Sequence, residues 1–540
     1  MWTKIFATGL TVHRRPCGRG LGWAAMAKLL KRLAAEGLVA VLMFIAFFAA
    51  GIHLVLPGGP FVGWLAPYAL SPQHLQQAYG LKGLVDSSQC NGGGCDGRNQ
   101  VVALIENGDF SMEDVATFSA RWHLQPAQVT VSKWNAVDHQ FQAADAASEQ
   151  TMGNAEAVMD IDAVHAVAPG AAIHVYEFPK HSPGLVEFGT FLDAALASPK
   201  NEGVFSVSEG GCEDQLSPAE LALLDLKLKA LAGLGKTVLV GSGDDGKRCP
   251  DGTPSIGVLY PASEPYVTAV GGTSLYVGPG GSYSHETAWD TGRRGETSGA
   301  SGGGVSSAFG KPAWQAGISP SAGGRMVPDV AAMADPRAYS LMFEDTRSWW
   351  GRWIEDWATG GGTSLSAPLW AGFAAVYNQY AVTHGGEALG FANPAIYYLG
   401  EHPNQLAVGA LRDVTLNPKT TVDLAAPATV GWDAATGWGS FNAAAFVHDR
   451  LDAKLSIRVA GTEQGGGVMA MASGFPPSDA VTFGASGGAS CISKADSQGR
   501  AQCSLRVTTG DAAGGSIAFE ASDDLALLYA KASLRTSALG

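Results

Sequence analysis

The chain has 540 residues, 46% of them hydrophobic and 16% charged, with 71 glycines. That length and balance exclude a disordered polymer and give more than one domain with a large core. Formal net charge is −14, yet residues 1–36 hold seven basic side chains and one acidic one. The remainder is acidic enough to exclude nucleic acid as a partner, because phosphate needs a basic face.

The basic arm (1–36) leads into GLVAVLMFIAFFAAGIHLVL, residues 37–56, which has no formal charge. As a helix it spans roughly 30 Å, the thickness of a bilayer's hydrocarbon core. Basic residues on its N-terminal side predict a cytoplasmic N-terminus and an exported body. The segment is expected to be an uncleaved anchor, or else a signal peptide with Met26 as the start and residues 38–50 as its apolar core. A linker follows at 57–69.

From residue 101 to about 380, apolar runs alternate with helical patterns. VVALIE (101–106), AAIHVYEF (171–178), GVFSVS (203–208) and KTVLVGS (236–242) read as strands buried on both faces. Helices are predicted at 112–122, 148–167, 184–197 and 218–233. In the last, Leu221, Leu224, Leu228 and Leu231 form one apolar stripe. This alternation predicts a doubly wound α/β domain with a mostly parallel sheet and flanking helices. Its functional loops lie at the carboxyl ends of the strands.

Residues 447–540 change character, and helical periodicity fades after Leu451. KLSIRV, VMAMA, AVTFGA, AQCSLRV and SIAFEA alternate with Gly, Ser and Pro turns, predicting a small all-β, Ig-like sandwich at 447–540. Seven cysteines are present. Cys17 falls on the cytoplasmic side, and the six exported ones group by proximity as Cys90/Cys95, Cys212/Cys249 and Cys491/Cys503. Six cysteines allow 15 pairings, so this grouping is an expectation. Oxidised pairs suit an exported protein.

The sharpest chemical signal is GGTSLSAPLWAGFAAVYNQY, 361–380. A Gly-rich turn delivers Ser364 to the start of an apolar helix, where backbone N–H groups favour developing negative charge. A serine nucleophile needs a base, and none of the twelve histidines lies in an HGTH-like setting. Instead NAEAVMDIDAVHAVAPGAAIHV (154–175) offers Glu156 and Asp160, four residues apart and so on one helix face. Close carboxylates share a proton, one rising and one falling in pKa. A free carboxylate also stays ionised near pH 4, where imidazole is protonated.

This combination resembles the sedolisin family, the serine-carboxyl peptidases with a subtilisin-like fold. ExxxD matches Glu156 and Asp160, GTSxS matches Ser364, and GDxG matches GDDG, which puts an acid at Asp244. YPASEPYVTAVGGTSL, SGGGVSSAFGKPAWQ and VPDVAAMADP lie between them in family order, and the resemblance runs from about residue 70 to 446. It implies a peptidase domain at 70–446 that hydrolyses polypeptides in acid through an acyl-enzyme. Glu156 and Asp160 are its base, and Asp244 is a protonated donor to the oxyanion. Glu106 is implied as a further member of the proton-sharing chain. Where the family has SWG, this chain has SEG with Glu209, which puts that extension of the network in doubt.

The resemblance also implies one structural Ca²⁺. RDVTL and TVGWDAATGWGSFN supply the carboxylates of Asp413 and Asp433 and the carbonyls of Val414, Thr429 and Gly431, the hard oxygens calcium requires. A pro-domain is common in the family, but only about 13 residues separate the apolar segment from the start of the resemblance. A monomer is expected. Two other readings remain. One is a non-catalytic surface protein that keeps the fold; the other is a neutral hydrolase, for which His165 faces away from Ser364 by helical arithmetic.

Overall fold

The structure, a computed structural model, describes residues 69–535 apart from short segments. The longer of these are 145–154, 180–184, 250–256, 293–298, 402–408, 460–466, 474–479, 508–515 and 524–528. The arm, the apolar segment 37–56 and the linker lie outside the described residues. Among the described residues no helix is long and apolar enough to cross a membrane.

Nine strands form the central sheet: β1 (Val101–Asn107), β2 (Gln128–Asn135), β3 (Gln140–Ala144), β4 (Ala172–Phe178), β5 (Val204–Val207), β6 (Thr237–Gly241), β7 (Thr268–Val277), β8 (Tyr283–Ala288) and β9 (Val330–Met333). Their order is β8-β7-β6-β5-β1-β4-β2-β3, with β9 also on β7. The ladders are parallel except β2 with β3 and β7 with β8. β1 is central, with Val102 opposite Val204 on one side and Val101 opposite Ala172 on the other.

The apolar run of β1 packs by alternation. Val102 and Leu104 join a core with α1 (Ala155–Val167) and α4 (Thr363–Thr383). Ala103 and Ile105 join another with α2 (Leu185–Ala197) and α3 (Pro218–Gly233). Helices thus cover both faces, as a parallel sheet requires. α3 starts where its sequence says: Ser217 and Glu220 form a reciprocal cap ahead of Pro218, and Leu224, Leu228 and Leu231 are buried. The predicted helix at 148–167 is described from Ala155. The β2–β3 hairpin and a second hairpin, Ser340–Trp349 with Arg352–Thr359, were not anticipated.

The C-terminal module has a three-stranded and a four-stranded antiparallel sheet, sharing a core of Val468, Ala470, Val481, Phe483, Ile517 and Phe519. Its boundary is later than the expected 447, because helix Ala443–Leu451 runs through that position and buries Phe446 and Val447 in the main core. The three expected disulfides are formed. Cys491–Cys503 joins the two sheets of the module.

α1 is buried along its whole length from Ala157 to Val167, which is why its apolar residues run round the helix rather than in one stripe. It meets α4 at Gly372, where a Cβ would lie 2.7 Å from Val167 Cβ and 3.2 Å from the Val164 carbonyl oxygen. Gly372→Val is therefore expected to push the two helices apart. It should lower stability by roughly 1–3 kcal/mol, read as a reduced urea midpoint, and displace everything the two helices carry.

Candidate active site

Ser364 stands in the first turn of α4. Gly362, at φ 84°, turns the chain into the helix, and a Cβ there would meet Asp244 Oδ2 at 2.5 Å. Glycine is thus required twice, by backbone conformation and by space. Asp244 takes the place of a helix cap: Oδ1 accepts from the Thr363 N–H (2.7 Å) and the Thr363 hydroxyl (2.9 Å), whose oxygen accepts from Gly243 N–H (3.0 Å). The second serine of the motif, Ser366, fixes the helix to β9 through the carbonyls of Ala332 and Met333, both at 3.0 Å.

Across from this turn the Ser364 hydroxyl hydrogen-bonds the Glu156 carboxylate. Asp160, one turn deeper on α1, accepts from Ser208 Oγ at 2.5 Å. Ser208 Oγ also lies 3.3 Å from the Ser364 carbonyl oxygen. That carbonyl would serve residue 368 in a regular helix, but Pro368 has no N–H. At the end of β1, Glu106 faces Asp160. The two side chains hydrogen-bond, while Glu106 Oε1 and Asp160 Oδ1 are buried without any donor. Ionised carboxylates only accept, so this contact needs a proton held between them.

Burial governs the charges. It pushes Glu156 up to about 7, helped by repulsion from Asp244 and Glu209 and opposed by the Ser364 hydrogen bond. It raises Glu106 and Asp160 well above ordinary carboxylates, each repelled further by Glu156 and Glu209. Asp244 is raised by burial too, against the two bonds from Thr363. A free glutamate would be ionised at pH 4; Glu156 in this setting is mostly protonated there. Glu209 is exposed, one residue past Ser208. His165 is buried, with Nε2 2.9 Å from the Gln125 carbonyl oxygen and its pKa lowered by burial to about 4. Its ring is therefore turned to the chain at Gln125.

The structure thus gathers Ser364, Glu156, Asp160, Asp244 and Glu106. It also adds Ser208 and Thr363, which sequence reasoning passed over. A polar residue after a buried strand and a threonine at a helix start carry no local signal of their partners.

Of the proposed calcium ligands, Asp413 and Asp433 are both tied to the 429–431 turn, and Val414 next to Asp413 is buried. Gly431, at φ 80°, donates its N–H to Asp413 Oδ2 (2.8 Å). Asp433 accepts from the N–H groups of Thr429 (2.8 Å), Ala435 and Thr436 (both 2.9 Å). Among the described residues a Cys212–Asp214–Cys249 group also has metal-like spacing, but its sulfurs are spent in a disulfide.

A parallel α/β sheet presenting a helix-borne serine to a cluster of carboxylates defines a subtilisin-like protein of the serine-carboxyl type. Residues 142–439 match the subtilase family. The chain is 33% identical over 393 residues to kumamolisin of Bacillus sp. (strain MN-32), covering 69% of this chain and 62% of that protein. It is 28% identical over 414 residues to human tripeptidyl-peptidase 1, covering 71% and 64%. Among solved structures it is similar to Pseudomonas sedolisin, a serine-carboxyl proteinase complexed with two molecules of pseudo-iodotyrostatin. That match has a TM-score of 0.57 at 25% identity and covers 70% of this chain and 97% of that one. The chain belongs to the subtilase family, in its sedolisin group. It spans less than two thirds of the length of those two curated relatives.

These shifts fix a sign for stability. A folded-state pKa above the unfolded one contributes fully below about 4.5 and is lost as pH rises through the folded value, about 7 for Glu156. For that group alone the loss amounts to about 3 kcal/mol. Tm is expected to fall between pH 5 and pH 8, and to fall less in Glu156→Gln. A Tm that rises over this range would contradict the burial of these carboxylates.

Proposed function

We propose that this protein is an acid-acting serine-carboxyl endopeptidase that cleaves polypeptides through an acyl-enzyme on Ser364. The observation that carries the reading is the hydrogen bond from the Ser364 hydroxyl to Glu156, with a proton shared behind it between Glu106 and Asp160. In the working state Glu156 is ionised and Asp244 is protonated. Glu156 takes the hydroxyl proton as Ser364 Oγ bonds to the scissile carbonyl carbon. Asp244, on the far side of the serine's turn, donates to the oxyanion. An ionised Asp244 would repel it. Glu156 then returns the proton to the leaving amine, and water releases the acyl group by the same route.

This state needs one proton removed and another retained. Rate rises with pH as the Glu156 cluster loses its first proton, and falls as Asp244 loses its own. Burial raises all four acids, so the window sits above that of free carboxylates; with Glu156 at about 7, cleavage on the acid side is carried by the fraction of molecules in which Glu156 is ionised while Asp244 keeps its proton.

Calcium at Asp413, Val414, Thr429, Gly431 and Asp433 is part of the same proposal. Both carboxylates accept N–H bonds from the 429–431 turn and every proposed ligand atom is oxygen, which suits a hard cation. Bound there, calcium supplies rigidity to a loop next to β9. No step of the reaction passes through it. Export is proposed too, with residues 37–56 as anchor or signal and the three disulfides formed outside the cytoplasm.

Denatured protein incubated with the purified chain at pH 3–6 and at pH 7.5 tests the main claim. Cleavage is expected on the acid side and should drop by about 10⁴-fold or more in Ser364→Ala. No cleavage at any pH with calcium present would favour a non-catalytic scaffold. Asp244→Ala is expected to lose about 10²–10³ in kcat. Asp244→Asn, whose amide donates at any pH, should keep more activity and lose the alkaline limb of the pH profile. For the metal, EDTA should lower Tm and Asp413→Ala should abolish that difference. At calcium about 100-fold above Kd the stabilisation is about 2.7 kcal/mol.

A further inference from the structure

A second set of serine, imidazole and carboxylate lies on the other face of the sheet. Ser132 on β2 and His174 on β4 lie on one face of the sheet two positions apart (Ser132 pairs with Tyr176 and His174 with Thr130), with Ser132 Oγ 2.9 Å from His174 Nε2. His174 Nδ1 lies 2.7 Å from Glu202 Oε1. All three are more than nine-tenths buried. A carboxylate accepts and cannot donate, so Nδ1 carries a proton; with Nε2 unprotonated, its lone pair faces the Ser132 hydroxyl. Glu202 is held in turn by the hydroxyls of Ser198 (2.8 Å) and Tyr176 (3.2 Å). A nucleophile bonded to a base that a third group orients is the geometry of an activated serine.

The set is separate from Ser364. Ile173 and Val175, the neighbours of His174, pack with α1 and α4, whereas Tyr176 packs with α2. His174 therefore faces away from the catalytic helices. Glu202 precedes β5, while Ser208 of the first site follows it. The Ser132–His174 pair opens into a cavity of about 410 Å³ between the sheet and α2, walled by Trp134, Phe141 and Tyr176 and bordered by Thr190. That volume and aromatic lining suit a small apolar group rather than a polypeptide strand.

We propose that Ser132 is a second reactive serine, which takes the acyl group of small apolar or aryl esters. Ser132 Oγ bonds to the acyl carbon as its proton passes to His174 Nε2. The bond to the leaving alcohol breaks, and the alcohol departs with that proton. Water then attacks the acyl-serine by the same route, releasing the acid and restoring the hydroxyl. Glu202 stays ionised throughout. Its pKa is lowered to about 2, because the bonds from His174 and Ser198 outweigh the opposing effect of burial.

The test uses the full chain carrying Ser364→Ala, which removes the other reactive serine, with diisopropyl fluorophosphate and 4-nitrophenyl acetate as probes. Peptide mapping is expected to find the diisopropylphosphoryl adduct on Ser132, formed as the P–F bond breaks and fluoride leaves. Ser364→Ala/Ser132→Ala should lose both the adduct and ester turnover, with an unchanged near-UV circular dichroism spectrum. Glu202→Gln should slow labelling by at least about tenfold, since general-base contributions run to about 10²–10⁴-fold. No adduct on Ser132 in the folded Ser364→Ala protein would overturn the proposal and leave the three residues a structural hydrogen-bond chain. An adduct on another residue, persisting in the double variant, would overturn it equally. Neither outcome depends on whether Ser364 cleaves peptides.

Discussion

A carboxylate withdrawn from water resists ionising unless a cation or several donors replace its hydration. Around Ser364 four such groups converge, and the leading influences on each are burial, one another's charge and a few hydroxyl or N–H bonds; no cation is among them. Protons are therefore structural parts of the site. The unserved oxygens of Glu106 and Asp160 mark where one belongs. Elsewhere the same fold gives a buried acid a cation and its own donors, which oppose the rise that burial causes. Asp329 is fully buried but meets Arg325 at 2.5 Å, the Tyr397 hydroxyl at 2.8 Å and the Ala269 N–H at 2.7 Å. A buried charge so paired holds strands together; one left with other acids holds a proton.

Holding like-charged groups together is work for the surrounding core. α1 can carry Glu156 and Asp160 inward only because the rest of the helix is buried on every side. α4 approaches it closely because residue 372 lacks a side chain. Trp370 Nε1 donates to the Ala331 carbonyl at 2.9 Å, and Ser366 spans two carbonyls of the same strand. These bonds fix the rotation of α4, and with it the direction of the Ser364 hydroxyl. Pro368 belongs to the same device. By removing one helical N–H it leaves the Ser364 carbonyl to Ser208, the residue that also bonds Asp160. The two sides of the site are thereby tied through one hydroxyl.

How much of this was legible follows from how local each signal is. The strands at 101–107, 172–178, 204–207 and 237–241 announce themselves because both faces are buried, so the apolar run is unbroken. The β2–β3 hairpin escapes the same reading: at the sheet edge its residues are mostly half-exposed, and QVTVSKWN has no clean period. Ser364, Glu156 and Asp160 were legible through motif spacing, and Asp244 and Glu106 through the family resemblance that those motifs carry. Ser208 and Thr363 were not, since each acts on a partner more than 100 residues away or on an adjoining loop. The helical pattern read to Leu451 and the strand read at KLSIRV both match the structure, so the module proper begins after the helix that carries residue 447.

Glu156 and Glu202 show why the identity of a side chain does not set its chemistry. Both are removed from solvent, which by itself raises a carboxylate. Glu156 has one hydroxyl donor and two acidic neighbours, and rises to about 7. Glu202 has an imidazole N–H and two hydroxyls, and falls to about 2. The first can accept a proton and give it back near its own pKa, as a base that also protonates the leaving amine must. The second stays ionised in any mild acid and can only orient what it holds. The same residue type, placed on opposite faces of one sheet, is therefore suited to carry protons on one face and to hold a ring in place on the other. The difference lies in the donors that the neighbouring strands supply.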